Sequence, residues 1–250
     1  MRRSACIELL FREAGDVPGR IRAARAHGLD AVEFWQWSNK DLDAVAAALA
    51  ETGLPLAAIL CEPIANLTNP ATHDFFLAGV KASLRAAQRL GAPIMIAQAG
   101  NVVDGLSRAD QHAALVACLK RAADLLAGTG VVIALEPLND RVDHPGYFLT
   151  STHEGLDIVD EVGRPEIRLL YDIYHAAVMD EPVDLVAGRL DRIVHTHLAD
   201  VPGRHEPGTG SLDWQARLDW LAAQGFAGYI GLEYRPLAET GASLAFPSAG

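Results

Sequence analysis

Short apolar runs rich in β-branched residues recur eight times along this chain, and each is followed by an Ala/Leu-rich stretch of helical character. The runs are SACIELLF (4–11), LDAVEFWQW (29–37), LPLAAILCE (54–62), APIMIAQAG (92–100), VVIALEP (131–137), IRLLYDIYH (167–175), IVHTHLAD (193–200) and YIGLEY (229–234). Such alternation builds a parallel sheet, because each parallel strand needs a crossover before the next. The punctuation agrees: Asn69 before Pro70 offers an N-cap with proline at the first helical position, and Gly91 falls where that helix should end. Eight strand–helix units in 250 residues match a single closed (β/α)8 barrel of the α/β class. No linker or low-complexity tract divides the chain, so residues 1–250 read as one domain. An open, doubly wound sheet would place a glycine-rich phosphate loop after its first strand, and FREAGDVPG there contains no GxGxxG.

Composition removes several classes of function. No run approaches the roughly 18 apolar residues of a membrane span. The start, MRRSACIELLF, has its apolar run broken by Glu8 and lacks a small-residue cleavage site, so it reads as a first strand and not as a leader. Three cysteines, Cys6, Cys61 and Cys118, never form CxxC, which predicts a reduced, cytoplasmic protein without disulfides or a zinc cluster. A net charge of -11 with no basic stretch argues against nucleic acid as a partner.

The chemistry gathers where the strands should end. Run five closes on Glu136, run six presents Asp172, run seven carries His195 and His197, and run eight presents Glu233. In such a barrel the active site lies at the C-terminal ends of the strands. Four consecutive strands thus bring Glu, Asp, His and Glu to one rim. Carboxylates so close repel one another unless a cation neutralises them. Any one of these residues alone reads equally well as a loop cap or an ion pair; the four together favour one divalent ion. Oxygen donors with one imidazole suit Mn²⁺, Mg²⁺ or Co²⁺, with zinc as an alternative.

The segments EPLN, HPGYFLT, YDIYH, HLADVPGRHEPGTG and GLEYRP, spread over residues 131–236, resemble the hydroxypyruvate isomerase family. That family sits within the xylose-isomerase-like TIM barrels, beside the 2-oxo-tetronate isomerases and ketose 3-epimerases. The resemblance implies that Glu136, Asp172, His197 and Glu233 ligate the metal and that Glu136 and Glu233 exchange protons with substrate. It implies an aldose–ketose type isomerase working through a cis-enediolate on a small hydroxy-keto acid, hydroxypyruvate giving tartronate semialdehyde. A 2-oxo-tetronate isomerase or a ketose 3-epimerase is the alternative. One departure stands out: members of the family often carry Gln where His197 stands, whereas the 3-epimerases carry His.

Further candidates surround this set. His175, three residues past Asp172, stands where the family places a substrate-contacting imidazole. Arg204, in the loop after run seven, is the best-placed cation for a substrate carboxylate. Trp35 and Trp37 alternate at the end of run two, as a hydrophobic wall over the site would. His195 shares a strand face with His197 and either supports it or fills the barrel. Glu8 and Glu33 read as barrel-interior carboxylates with partners, and Arg235 as the partner of a neighbouring acid. Cys61 is a pocket candidate with no base beside it. A related nuclease with three metals would need more ligands and a basic face. A non-catalytic barrel would have no use for a complete ligand set. Many barrels of this kind pair up, which leaves a homo-oligomer open.

Overall fold

The eight runs close on one another. In the computed structural model, which describes residues 1–246, the strands form one closed parallel barrel in chain order. They are β1 (Arg2–Cys6), β2 (Ala31–Phe34), β3 (Leu56–Leu60), β4 (Ile94–Gln98), β5 (Val132–Glu136), β6 (Ile167–Asp172), β7 (Ile193–Leu198) and β8 (Tyr229–Leu232). The seam is made by β1 on β8, with Ser4 opposite Gly231. The crossovers are α1 (Val17–Ala26), α2 (Leu42–Thr52), α3 (His73–Leu90), α4 (Arg108–Leu126), α5 (Thr152–Val162), α6 (Ile173–Val178) and α7 (Trp214–Ala223), with a short α8 (Thr240–Ser243) after the last strand.

Local chemistry sets the helix starts. Asp16, Asp41, Ser107, Ser151 and Asp213 each turn a side-chain oxygen onto a first-turn N–H. Asn69 caps a single 3₁₀ turn, Pro70–Thr72, that runs into α3, so the cap sits one turn earlier than the sequence suggested. Gly91 follows α3 in the left-handed region, with φ 73°.

The strands are shorter than the apolar runs that announce them, and two expectations change as a result. β1 stops at Cys6, so Glu8 lies past it, partly exposed and paired with Lys40, outside the barrel interior. β2 stops at Phe34, which ends the alternation that was to bring Trp35 and Trp37 to one wall. Trp37 instead donates its indole N–H to Ser83 Oγ on α3 at 3.0 Å.

Outward-facing Ile133, Leu135, Leu169 and Tyr171 join the helices in the main core, while Ala58, Leu60, Ile94, Ile96, Ala134 and Leu170 form a separate apolar cluster. Those six alternate with the outward set, which puts them inside the barrel. Each fully buried aliphatic side chain stabilises the fold by roughly 1.5–3 kcal/mol, a reserve that lets the rest of the interior hold buried charge. Among the described residues no helix is long and apolar enough to cross a membrane, and all three cysteines are free and buried.

Candidate active site and metal centre

Register fixes the depth of the polar residues. Gln98 pairs with Glu136, Asp172 with His197, and His197 with Gly231. Glu233 follows one residue past β8 and still bonds back, its N–H donating to Leu198 O at 3.3 Å. Glu136, Asp172, His197 and Glu233 therefore converge: one ligand atom from each lies within 4.8 Å of the others, and all four are buried.

Each side chain is aimed by a second contact. Asp172 ends β6 and caps α6, its Oδ1 accepting the His175 N–H at 3.0 Å. Its Oδ2 is left buried with no hydrogen-bond partner. His197 turns Nδ1 towards Glu136 Oε1 (3.2 Å), Glu233 Oε2 (3.3 Å) and Asp172 Oδ2 (3.8 Å). Its Nε2 lies 2.8 Å from Glu33 Oε1, a contact bent away from the N–H axis. Glu33 in turn meets His195 Nε2 through its other oxygen at 2.8 Å. A carboxylate behind a ligating imidazole fixes which ring nitrogen is free to bind a cation. A Cβ on Gly231 would stand 2.6 Å from His197 Cδ2 and 2.8 Å from Glu33 Oε1, so only glycine leaves room for this arrangement.

The two glutamates differ. Glu233 accepts from Trp35 Nε1 at 2.7 Å on Oε1 and from Arg204 Nη2 at 2.5 Å on Oε2, with the Cys6 thiol 3.9 Å away. Burial works to raise its pKa, but His197 and Arg204 outweigh it and hold Glu233 well below the carboxylate range. Glu136 meets no arginine or lysine among the described residues. Asp172 behaves oppositely to Glu233: burial pushes it up, against the pull of Arg204 and His197. Glu33 is held far down, since His195 and His197 overcome its burial. His197 is driven well above the usual imidazole range by Glu233 and Glu33 in spite of burial. Three buried carboxylates around one imidazole, with an orphan carboxylate oxygen at the centre, make a donor set short of positive charge. It fits a divalent cation with mainly oxygen ligands.

Above the set lies a cavity of about 350 Å³. Trp35, Glu136, His175, His197, Arg204 and Glu233 line it, with Gln98, Asp143, His144 and Arg235 among others. His175 Nδ1 accepts from the Asn139 N–H (3.1 Å) and faces its side-chain amide nitrogen at 2.7 Å, which leaves Nε2 as the N–H of a neutral ring. Burial, then Arg204, pushes its pKa down to about 3. Arg204 is nearly buried, lies over the Tyr174 ring at 5.0 Å and leaves its Nε without a partner. His195 does not line the cavity; it lies one layer down, buried against Glu33. Cys61 lies outside the lining, and burial pushes its thiol up to about 12. Arg235 is exposed on the wall and makes no ion pair among the described residues, in place of the acid partner expected for it. Sequence reasoning gave no role to Asp143 or His144. They arrive from the loop after β5, where Asp143 accepts from Tyr174 Oη (2.8 Å) and Asn139 Nδ2 (2.7 Å). The HPGYF segment marked that loop without assigning it a function.

The molecule is an eight-stranded barrel with a buried Glu–Asp–His–Glu set, able to hold a metal ion, at the C-terminal ends of β5 to β8. The xylose isomerase-like TIM barrel family matches residues 21–246, and the chain belongs to it. Several relatives similar over most of the chain bear isomerase names. The putative hydroxypyruvate isomerase of Homo sapiens is 34% identical, covering 96% of this chain and 91% of its own length. The hydroxypyruvate isomerase of Escherichia coli K12 is 31% identical over 98% and 97%. The 2-oxo-tetronate isomerase of Cupriavidus necator is 32% identical over 90% and 89%. A crystal structure described as AP endonuclease, family 2, from Brucella melitensis superposes with TM-score 0.91 at 29% identity, covering 98% of this chain and 97% of that one. This chain is an isomerase of the hydroxypyruvate isomerase kind.

Proposed function

We propose that the protein isomerises a small 2-oxo acid bearing a hydroxyl beside the ketone, hydroxypyruvate to tartronate semialdehyde, with the help of one divalent ion. The observation that carries this reading is Arg204: a nearly buried guanidinium on the cavity wall, one arm on Glu233 and Nε unpartnered. A carboxylate next to the reacting ketone would satisfy those remaining N–H groups. At about 350 Å³ the cavity lies at the small end of ligand pockets, which suits a three- or four-carbon acid.

Glu136, Asp172, His197 and Glu233 would hold the ion. When bound, it would draw electron density from the substrate's ketone and hydroxyl oxygens and so acidify the C–H between them. Glu136, which unlike Glu233 pairs with no arginine, takes the C3 proton of hydroxypyruvate. The electron pair moves into a C2–C3 double bond, giving a cis-enediolate. Return of a proton to C2, with the O3 proton leaving and O2 gaining one, produces the aldehyde. Glu233, kept ionised by Trp35, Arg204 and His197, serves the second face. His175 offers an Nε2–H from a neutral ring to a substrate oxygen. Trp35 and the apolar side chains Leu60, Ile64 and Ile96 limit water in the cavity.

The 2-oxo-tetronates are the second reading, supported by the Cupriavidus necator relative and by the same carboxylate-and-ketone grouping. A nuclease reading gains nothing from the charge, which at -11 would repel a phosphate backbone. The test is NMR in deuterated water with Mn²⁺, offering hydroxypyruvate, 2-oxo-tetronates and free ketoses. Deuterium at C2 of tartronate semialdehyde is the expected result. Label at C3 of a ketose with inverted configuration, and none in either acid, would overturn the reading.

A further inference from the structure

Arg204 occupies the left-handed backbone region, φ 55°, which a residue with a side chain holds only under restraint. The restraint is a carboxylate outside the cavity. Asp200, fully buried just after β7, accepts four backbone N–H groups: Val201 (2.7 Å) and Leu212 (3.0 Å) on Oδ1, Gly208 (2.7 Å) and Gly210 (2.9 Å) on Oδ2. Among the described residues no arginine, lysine or histidine pairs with it. Its own N–H donates to His205 O at 2.9 Å and its C=O accepts the Arg204 N–H at 3.2 Å. One side chain thus ties both ends of a thirteen-residue loop, 200–212, into a knot. Gly210 is part of it, since a Cβ there would stand 2.3 Å from Val201 O and 2.5 Å from Asp200 Oδ1. The Arg204 C=O accepts the Arg235 N–H at 2.8 Å, which fastens the loop to the segment after β8.

We propose that Asp200 is a positioning residue for substrate binding: by knotting loop 200–212 it sets the backbone from which Arg204 reaches Glu233 and the substrate carboxylate. This rests on the carboxylate reading given above. A carboxylate is needed, because an amide has one acceptor oxygen. In Asp200→Asn an NH₂ would face two N–H donors, and half the knot would open.

The experiment is a double-mutant cycle on the full chain loaded with Mn²⁺. Asp200→Asn, Arg204→Ala and the double variant are assayed for hydroxypyruvate turnover, with amide hydrogen exchange on each. Asp200→Asn should raise KM by about ten-fold or more, a larger change than in kcat, which Arg204 touches only through Glu233. Mn²⁺ affinity should not fall, because a displaced Arg204 competes less with the ion for that carboxylate. In the Arg204→Ala background the same change should have almost no effect on KM, because the two residues act in series. Exchange should quicken across 200–212 and nowhere else. Gly210→Ala, which leaves the carboxylate in place and disturbs the knot from the other side, should reproduce the KM shift if Asp200→Asn folds poorly. A full-sized Asp200→Asn effect that persists without Arg204, a wild-type KM in both knot variants, or a joint fall of kcat and Mn²⁺ affinity would each overturn the proposal. Failure of the wild type to convert any carboxylate substrate would instead remove the reading of the reaction. Exchange would then decide the knot alone, with unchanged protection at Arg204 and 208–212 counting against it.

Discussion

Glu136 and Glu233 share a type and a cavity but differ in their surroundings, so their amides should behave differently. Glu136→Gln keeps a neutral acceptor near His197 and disturbs no arginine, so it should fold as the wild type does. Turnover should fall by about 10²–10⁴, the usual worth of a placed general base. Glu233→Gln should lose turnover and some stability too, because one amide cannot accept from both Trp35 and Arg204. Thermal unfolding and deuterium incorporation into hydroxypyruvate measure both; a Glu136→Gln enzyme with more than a few per cent of activity would remove Glu136 as the base. Glu33 acts through its neighbour. Glu33→Gln should weaken Mn²⁺ binding by about 10–100-fold, read by calorimetric titration, since the His197 ring loses the charge that orients it. Affinity unchanged in that variant would mean the ring is held by packing alone. The converging residues were legible because each interrupts an apolar run at its end, where a plain strand has no use for a charge. Glu33 was legible as a paired carboxylate inside the barrel, but its partners were not, because His195 lies 162 residues away and only closure of the barrel brings them together.

At the scale of the strand and its crossover, pattern gave the element and sterics gave its limits. Apolar alternation located all eight strands but overran most of their ends, so Glu8 and Trp37 were placed on walls they do not share. The loops were harder still. Asp143 and His144 reach the cavity through contacts with Asn139, Tyr174 and His175 that no local rule encodes. β8 offers a direct test of how tightly the strands are matched. Gly231→Ala should destabilise the protein by about 1–3 kcal/mol, the usual cost of overpacking, because the new methyl meets His197, Glu33 and His195 at once. Denaturant unfolding reads the loss, and Mn²⁺ titration should show weaker binding in the same variant. A variant with wild-type values of both would show that the imidazoles can shift without consequence.

For the molecule as a whole, two quantities should respond to the solvent. The Cys61 and Cys118 thiols are pushed up to about 12, chiefly by burial. In an unfolded chain they ionise near 9, so between about pH 9 and pH 12 the unfolded state binds fewer protons than the folded one. Their contribution is complete below pH 9 and is lost as pH climbs towards 12, at up to about 1.4 kcal/mol per unit for each thiol. Chemical unfolding followed from pH 8 upward should show this decline, and replacing both cysteines by alanine should lessen it. What remains is the part that Cys6 and the buried tyrosines Tyr147, Tyr171, Tyr174 and Tyr234, also pushed up by burial, contribute with the same sign. Mn²⁺ should act in the other direction. At a hundred times its dissociation constant it should add about 2.7 kcal/mol, a rise in Tm on the order of 5–10 °C for a chain of this length. EDTA should reverse the rise. A Tm indifferent to Mn²⁺ would count against the four-residue set as an ion site.

The closure of β1 on β8 also has a meaning in time. Ribosomes add about 5–20 residues per second, so Glu33 waits on the order of 10–30 s for His195 and His197 to be made. Glu233 follows later still, 200 residues after Glu33. The pocket therefore has no early form. Nascent chains stalled before Tyr229 should retain no Mn²⁺ above the level of an unstructured control, and loading with the ion would wait for β8 to close the barrel, set by whatever supply of metal meets it then.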